Sequence, residues 1–193
     1  MQVVIAGGRG QIAMLLHPLL VANGHEARGL IRNPDQADAV ELAGAKPVIC
    51  DLESDVAVAP LLANADAVVF AAGAGPGSGA ERKFSMDRDG AIKLMDAAKE
   101  AGVSRYVMIS AMNAEQPRGE EVFQAYLKAK AKADAALRSS GPADAASPSC
   151  RYRAPRRIAA ATESGCCSPC PSPSSLRAYC RHTTACANSP ADS

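Results

Sequence analysis

The sequence contains no tryptophan, and only seven of its 193 residues are aromatic, three phenylalanines and four tyrosines. Large core-filling side chains are scarce, and 40 alanines stand in their place. An excess of either charge is lacking too: 21 lysines and arginines against 20 acidic residues leave a net charge of +1. Without a basic surface there is no reason to expect nucleic acid or an anionic membrane as the main partner. No apolar run approaches the roughly 18 residues needed to cross a bilayer. The opening MQVVIAGG has no positive segment ahead of its apolar stretch, so it does not read as a secretory leader. The expectation is a cytoplasmic protein without membrane or nucleic-acid partners.

The scarcity is uneven. Between Ser139 and Ser193 the only Ile, Leu, Val or Phe residues are Ile158 and Leu176. The same stretch holds six of the seven cysteines, seven of the thirteen prolines and eleven serines. A segment with so few large aliphatic residues cannot bury a core. Two compositions therefore meet near Gly141. Residues 1–141 read as one domain, and residues 142–193 as a low-complexity Ser/Pro/Cys/Arg tail that is not an independent domain.

The first composition alternates short apolar runs with helical patterns. Strands are expected at residues 2–6, 26–31, 46–50, 67–72 and 105–110. Helices are expected at 11–22, where Pro18 predicts a kink or early break, and at 34–43, with Asn33 as cap and Pro34 at the first helical position. A short helix capped by Ser54 reaches Ala63. Longer ones span 84–101, stopped by Gly102, and 120–140, stopped by Gly141. Strands alternating with helices predict right-handed βαβ units and a doubly wound parallel α/β sheet. Ligand then belongs at the carboxyl ends of the strands, at the switch between strands 1 and 4.

Gly7-Gly8-Arg9-Gly10-Gln11-Ile12-Ala13 follows the first strand directly and opens a helix. It fits G-x-x-G-x-x-A, with Gly7, Gly10 and Ala13 at the small positions. Small residues there allow a tight turn, let backbone approach a pyrophosphate and let the helix pack close to its strand. The helix-start N–H groups then receive the anion. Dinucleotide choice is written at the end of strand 2, where NAD sites place a carboxylate and NADP sites an arginine. Leu30-Ile31-Arg32-Asn33 has no carboxylate before Asp35. Arg32 is the candidate for a 2′-phosphate, with Arg9 as a second, and NADP is favoured over NAD.

GGRGQIA, IRNP, CDL at 50–52, VVFAAG at 68–73 and DGAIKLMDAAKEAGVSRYVMIS at 89–110 resemble the atypical short-chain dehydrogenase/reductase superfamily. The resemblance is to its single-domain NAD(P)H-binding branch, similar to NmrA-like and biliverdin reductase B-like proteins, and it covers about residues 1–141. It implies a Rossmann-like fold, truncated here after strand 5. It also implies that Asp51 and Leu52 flank the adenine and that Ala71, Ala72 and Gly73 line the ribose and pyrophosphate. Ser110 stands where the superfamily places a hydroxyl near a substrate carbonyl, though Ala111 replaces the second serine many members carry. Tyr126 and Lys130 match the Y-x-x-x-K catalytic pair, on one helix face. By the resemblance, Tyr126 passes a proton to a small-molecule substrate while Lys130 lowers the phenol pKa and holds the nicotinamide ribose. An NADPH-dependent oxidoreductase or epimerase-like enzyme is implied. The alternative is a non-catalytic dinucleotide sensor acting through a protein partner.

After LRSSG the resemblance predicts a sixth strand, which the tail's composition lacks. Three readings of the tail stay open. It is a disordered linker, a zinc site built from Cys167, Cys170 and Cys180, His182 or Cys186, or the product of a frameshift in a GC-rich gene. For the last, Tyr152-Arg153-Ala154 read two bases later can encode Pro-Gly. Disulfides are disfavoured in a cytosolic chain.

Overall fold

The computed structural model describes residues 1–140. The expectations for the stop at Gly141, the tail, its cysteines and the missing sixth strand lie outside the described residues. Along the chain run β1 (Gln2–Ala6), α1 (Gln11–Ala22), β2 (Glu26–Ile31), α2 (Ala37–Leu42) and β3 (Lys46–Ile49). They are followed by β4 (Ala67–Phe70), α3 (Ala80–Phe84), α4 (Ala91–Glu100), β5 (Tyr106–Met108) and α5 (Glu121–Ser139). All strand pairs are parallel and the sheet order is β3-β2-β1-β4-β5. This is the expected doubly wound, Rossmann-like arrangement, with β1 and β4 adjacent at the switch point.

The central strands read as apolar runs because both faces are covered. Val4, Ala6, Val68 and Phe70 face a cluster with Leu94, Met95 and Ala133 of α4 and α5. Val3, Ile5, Ala67 and Val69 face the other way, onto Ala13, Leu16 and Leu20 of α1. Beside them Ala27, Ile31 and Val40 seat α2. Alanine at helix positions 13, 97, 98, 129 and 133, all buried, substitutes close backbone approach for bulk.

Several local expectations are corrected. Pro18 does not break α1, which continues to Ala22 with the proline ring exposed. A solvent-facing ring removes one backbone donor and disturbs no packing, and Asn23 Nδ2 donates to the Leu19 carbonyl at 2.7 Å to close the helix. The buried stripe of α1 runs through Ala13, Leu16, His17 and Leu20, whereas Ile12, Leu15 and Leu19 are exposed. The helix predicted at 34–43 opens as a 3₁₀ turn, Pro34–Gln36, with Asn33 Oδ1 accepting from the Asp35 N–H at 3.1 Å.

Ser54 caps no helix. Its hydroxyl donates to the Asp51 carbonyl at 2.8 Å while the Asp51 carboxylate accepts from the Glu53 N–H at 2.9 Å, so residues 51–54 close a turn. Only Ala59–Leu62 coils, as a 3₁₀ turn. The helical stretch before Gly102 starts earlier than expected, at Ala80, and Ser85–Gly90 within it is a π turn. The extra residue of a π turn redirects the side chains after it, and here it accompanies a buried Asp87.

Ile5 is fully buried and Leu15 is 71% exposed, although both are aliphatic. Ile5→Ala is expected to lower unfolding free energy by about 2–5 kcal/mol, and Leu15→Ala by about 0.5 kcal/mol or less. Urea unfolding followed by circular dichroism measures both.

Candidate functional site

The chain leaves β1 at Ala6 and turns through Gly7, whose φ of +76° is the left-handed region that a side chain disfavours. Space forbids a side chain as well. A Cβ on Gly7 would lie 2.7 Å from the Ala72 Cα, and one on Gly8 would lie 2.6 Å from the Gly29 Cα. The loop is thus pressed against the ends of β4 and β2, and the Gly8 N–H donates to the Leu30 carbonyl at 2.8 Å. From α1, the fully buried His17 Nε2 donates to the Gly8 carbonyl at 2.8 Å. His17 was not anticipated from the sequence; its signal was a lone imidazole four residues after Ala13, on the stripe facing the sheet. Gly10 caps α1 with no side-chain acceptor, and no acid stands in the first turn. The helix start therefore offers N–H groups and a positive dipole end to an anion.

In front of this loop lies a cleft of about 270 Å³. Its walls include Gly7, Gly8, Arg9, Gly10, Arg32, Asp51, Leu52, Ala71, Ala72 and Gly73, contributed by the ends of β1, β2, β3 and β4. The strand switch thus gathers these predicted cofactor-site residues. Gln11 and Ile12 are exposed at the start of α1 and do not line it. Leu30, Ile31, Gln36, Cys50, Arg82 and Met86 line it without having been anticipated. Cys50 is buried, which pushes its thiol above its ordinary value and leaves it a small apolar wall residue.

Arg32 does not stand alone. Its Nη1 lies 3.6 Å from Glu53 Oε2, the same oxygen that accepts from Arg82 Nη2 at 2.9 Å. The Arg82 hydrogen bond, helped by one from Ser85, holds the Glu53 carboxyl below its ordinary value.

Ser110, Tyr126 and Lys130 gather elsewhere, where α5 crosses the end of β5, and none lines the cleft. The Lys130 Nζ sits 5.9 Å from the Tyr126 ring centre, so the pair shares a face as expected. The rest differs. Lys130 is 3% exposed, 3.2 Å from the Asp87 carboxylate, donates to the Ile109 carbonyl at 3.1 Å and lies over the Phe70 ring. Burial pushes its ammonium below the ordinary lysine value, against the pull of Asp87. Nor does it lower the Tyr126 phenol. Burial, then the negative charges of Asp87 and Asp134, hold that phenol above its ordinary value. The Lys130 ammonium is paired with the Asp87 carboxylate, whose negative charge itself acts on the phenol. The Ser110 hydroxyl donates to the Asp134 carboxylate at 2.5 Å. Asp87 in turn accepts from the Ala74 N–H at 3.2 Å, tying this buried ion pair to the loop that ends at the cleft.

Among the described residues no group of three His, Cys, Asp or Glu side chains could hold a metal ion, and no helix is long and apolar enough to cross a membrane. Residues 7–143 match the NAD(P)H-binding family model. The chain is 36% identical over 144 residues to the "Uncharacterized sugar epimerase YhfK" of Bacillus subtilis, covering 73% of this chain and 67% of that one. It is 35% identical to a UPF0659 protein of Saccharomyces cerevisiae, covering 72% and 65%. A solved structure, "Putative NAD-dependent epimerase/dehydratase" from Bacillus halodurans, superposes with a TM-score of 0.66 at 37% identity, covering 71% and 64%. The chain thus spans about two thirds of the length of these relatives.

Two outcomes follow. Lys130→Met leaves the buried Asp87 carboxylate uncompensated and is expected to cost about 3–5 kcal/mol. Adding Asp87→Ala should recover part of that loss in a double-mutant unfolding cycle. Glu53, with a lowered folded pKa, contributes stability that is complete above its unfolded value of 4.5 and is lost as pH falls through the folded value. The stability difference between the wild type and Glu53→Gln should therefore shrink as pH drops below 4.5, measured by urea titration across pH 3–7.

Proposed function

The chain belongs to the NAD(P)H-binding family, and on that premise we propose that it binds NADPH in preference to NADH. We read it as an oxidoreductase or epimerase-like enzyme of the atypical short-chain reductase type, acting on a small molecule. The observation that supports the cofactor preference is Arg32 at the end of β2, on the wall of the cleft, with no carboxylate of β2 beside it. The glycine loop suits a pyrophosphate, since a Cβ at Gly7 or Gly8 would collide with the ends of β4 and β2 and displace the helix start from the cleft. The names of the Bacillus relatives support the epimerase-like part of the reading.

In this reading the N–H groups at the start of α1 that the loop does not itself use hold the pyrophosphate, and Arg32 with Arg9 receives the 2′-phosphate. Asp51 and Leu52 flank the adenine, and Ala71, Ala72 and Gly73 border the ribose. A reduced nicotinamide supplies a hydride when bound. Tyr126 is the proton carrier. The phenol is protonated at neutral pH and so can donate to a carbonyl oxygen, while burial and the charges of Asp87 and Asp134, which hold it above its ordinary value, weaken it as an acid. Ser110 and Lys130 act behind it, Ser110 through Asp134 and Lys130 by fixing α5 against β5. The sensor alternative has no observation in its favour.

Fluorescence titration of the full chain with NADPH and NADH tests the preference. NADPH should bind at least about tenfold more tightly, the worth of one charge-assisted contact, and Arg32→Ala should remove most of the difference. Equal affinities in the wild type would refute the preference. For turnover, Tyr126→Phe should abolish reduction of a carbonyl substrate and leave NADPH affinity unchanged. Undiminished turnover would exclude Tyr126 as the proton carrier.

A further inference from the structure

Arg82 lines the cleft, yet the cofactor contacts assigned so far leave it without a task. It comes from α3, fifty positions after Arg32, and the two guanidinium groups meet at one carboxylate. Glu53 Oε2 accepts from Arg82 Nε at 3.2 Å and Nη2 at 2.9 Å, while Arg32 Nη1 stands 3.6 Å away. Glu53 Oε1 accepts from the Ser85 hydroxyl at 2.6 Å. Arg82 and Ser85 are three apart on a helical stretch, so both reach the same carboxylate from one face. Glu53 is itself only 20% exposed and is not part of the cleft wall, whereas Arg82 and Arg32 are 37% and 56% exposed and are.

Two guanidinium groups share the Glu53 carboxylate, and the Asp51 carboxylate on the same cleft wall adds a second negative charge acting on Arg82. Arg82 commits Nε and Nη2 to Glu53, and its Nη1 has no hydrogen bond among the described residues. Arg32 makes no hydrogen bond to a described residue, only the 3.6 Å ion pair. Donors of both arginines are therefore left over at the side of the cleft formed by the ends of β2 and β3. A dianionic phosphate, with three acceptor oxygens, suits two planar guanidinium groups; a neutral ribose hydroxyl does not.

We propose that Arg82 is a specificity-determining residue that shares with Arg32 the recognition of the phosphate on the adenosine ribose of NADPH, Glu53 holding its guanidinium in place. The proposal rests on the NADPH reading of the cleft. Glu53 then serves both arginines: it holds Arg82 rigid and partly neutralises the pair when no phosphate is present. A second guanidinium from a helix beyond β4 adds selectivity that the end of β2 alone does not supply.

The test titrates NADPH, NADH, 2′,5′-ADP and 5′-AMP into the full chain as wild type, Arg82→Ala, Arg82→Lys and a distant control, Arg138→Ala. Arg82→Ala should weaken NADPH and 2′,5′-ADP about tenfold and leave NADH and 5′-AMP within about twofold, their binding showing that the fold is intact. Arg82→Lys, which keeps the charge and loses the fork, should fall between, and the control should match wild type. Equal weakening of NADPH and NADH, or of neither, overturns the role of Arg82. If Arg82→Ala keeps the full NADPH preference while Arg32→Ala removes it, the NADPH reading survives and this inference fails. A wild type that binds NADPH no better than NADH overturns both.

Discussion

The constraint on which this molecule depends is the closeness of three backbones at the switch point. Gly7 lies against the end of β4 and Gly8 against Gly29 of β2, each too near for a side chain. That approach opens the strands' carboxyl ends into a cleft floored by uncapped N–H groups. It also explains why α1 carries a buried histidine: the Gly8 carbonyl, turned away from the sheet ladder, has to be paired inside the protein. The shortage of aromatic residues is consistent with the same geometry, because close approach here is obtained with glycine and alanine.

A second device stands on the other side of the sheet. Asp87 and Lys130 are both almost fully buried, and a buried ion pair stabilises little by itself because desolvation offsets the attraction. Its value is positional. Through the Ala74 N–H and the Ile109 carbonyl it links the loop after β4, the π turn and α5 to the end of β5. A lysine so committed cannot also tune the phenol four residues before it.

Sequence reading was most successful where one physical cause dominates. β1, α1 and β2 match their expected bounds because the apolar run, the glycine turn and the helical spacing coincide there. The cradle was equally legible, since glycines so spaced directly after a first strand serve a tight turn and close backbone approach at once. Failures occurred where partners are distant in the chain. Nothing local to Y-x-x-x-K announces that Lys130 will pair with Asp87, forty-three residues upstream. Arg82 and Glu53 meet across twenty-nine positions, and a π turn leaves the apolar periodicity looking helical. Ser54 misled because a hydroxyl suited to a cap is equally suited to a turn, and Asp51, three residues earlier, decided the matter.

The central claim is that backbone crowding at Gly7 creates the dinucleotide site. Calorimetric titration of NADPH into the wild type and Gly7→Ala, at a temperature where circular dichroism shows both folded, tests it most directly. The account predicts saturable one-to-one binding for the wild type and a loss of at least about a hundredfold for the variant, the worth of about 3 kcal/mol. Unchanged affinity in Gly7→Ala would contradict it.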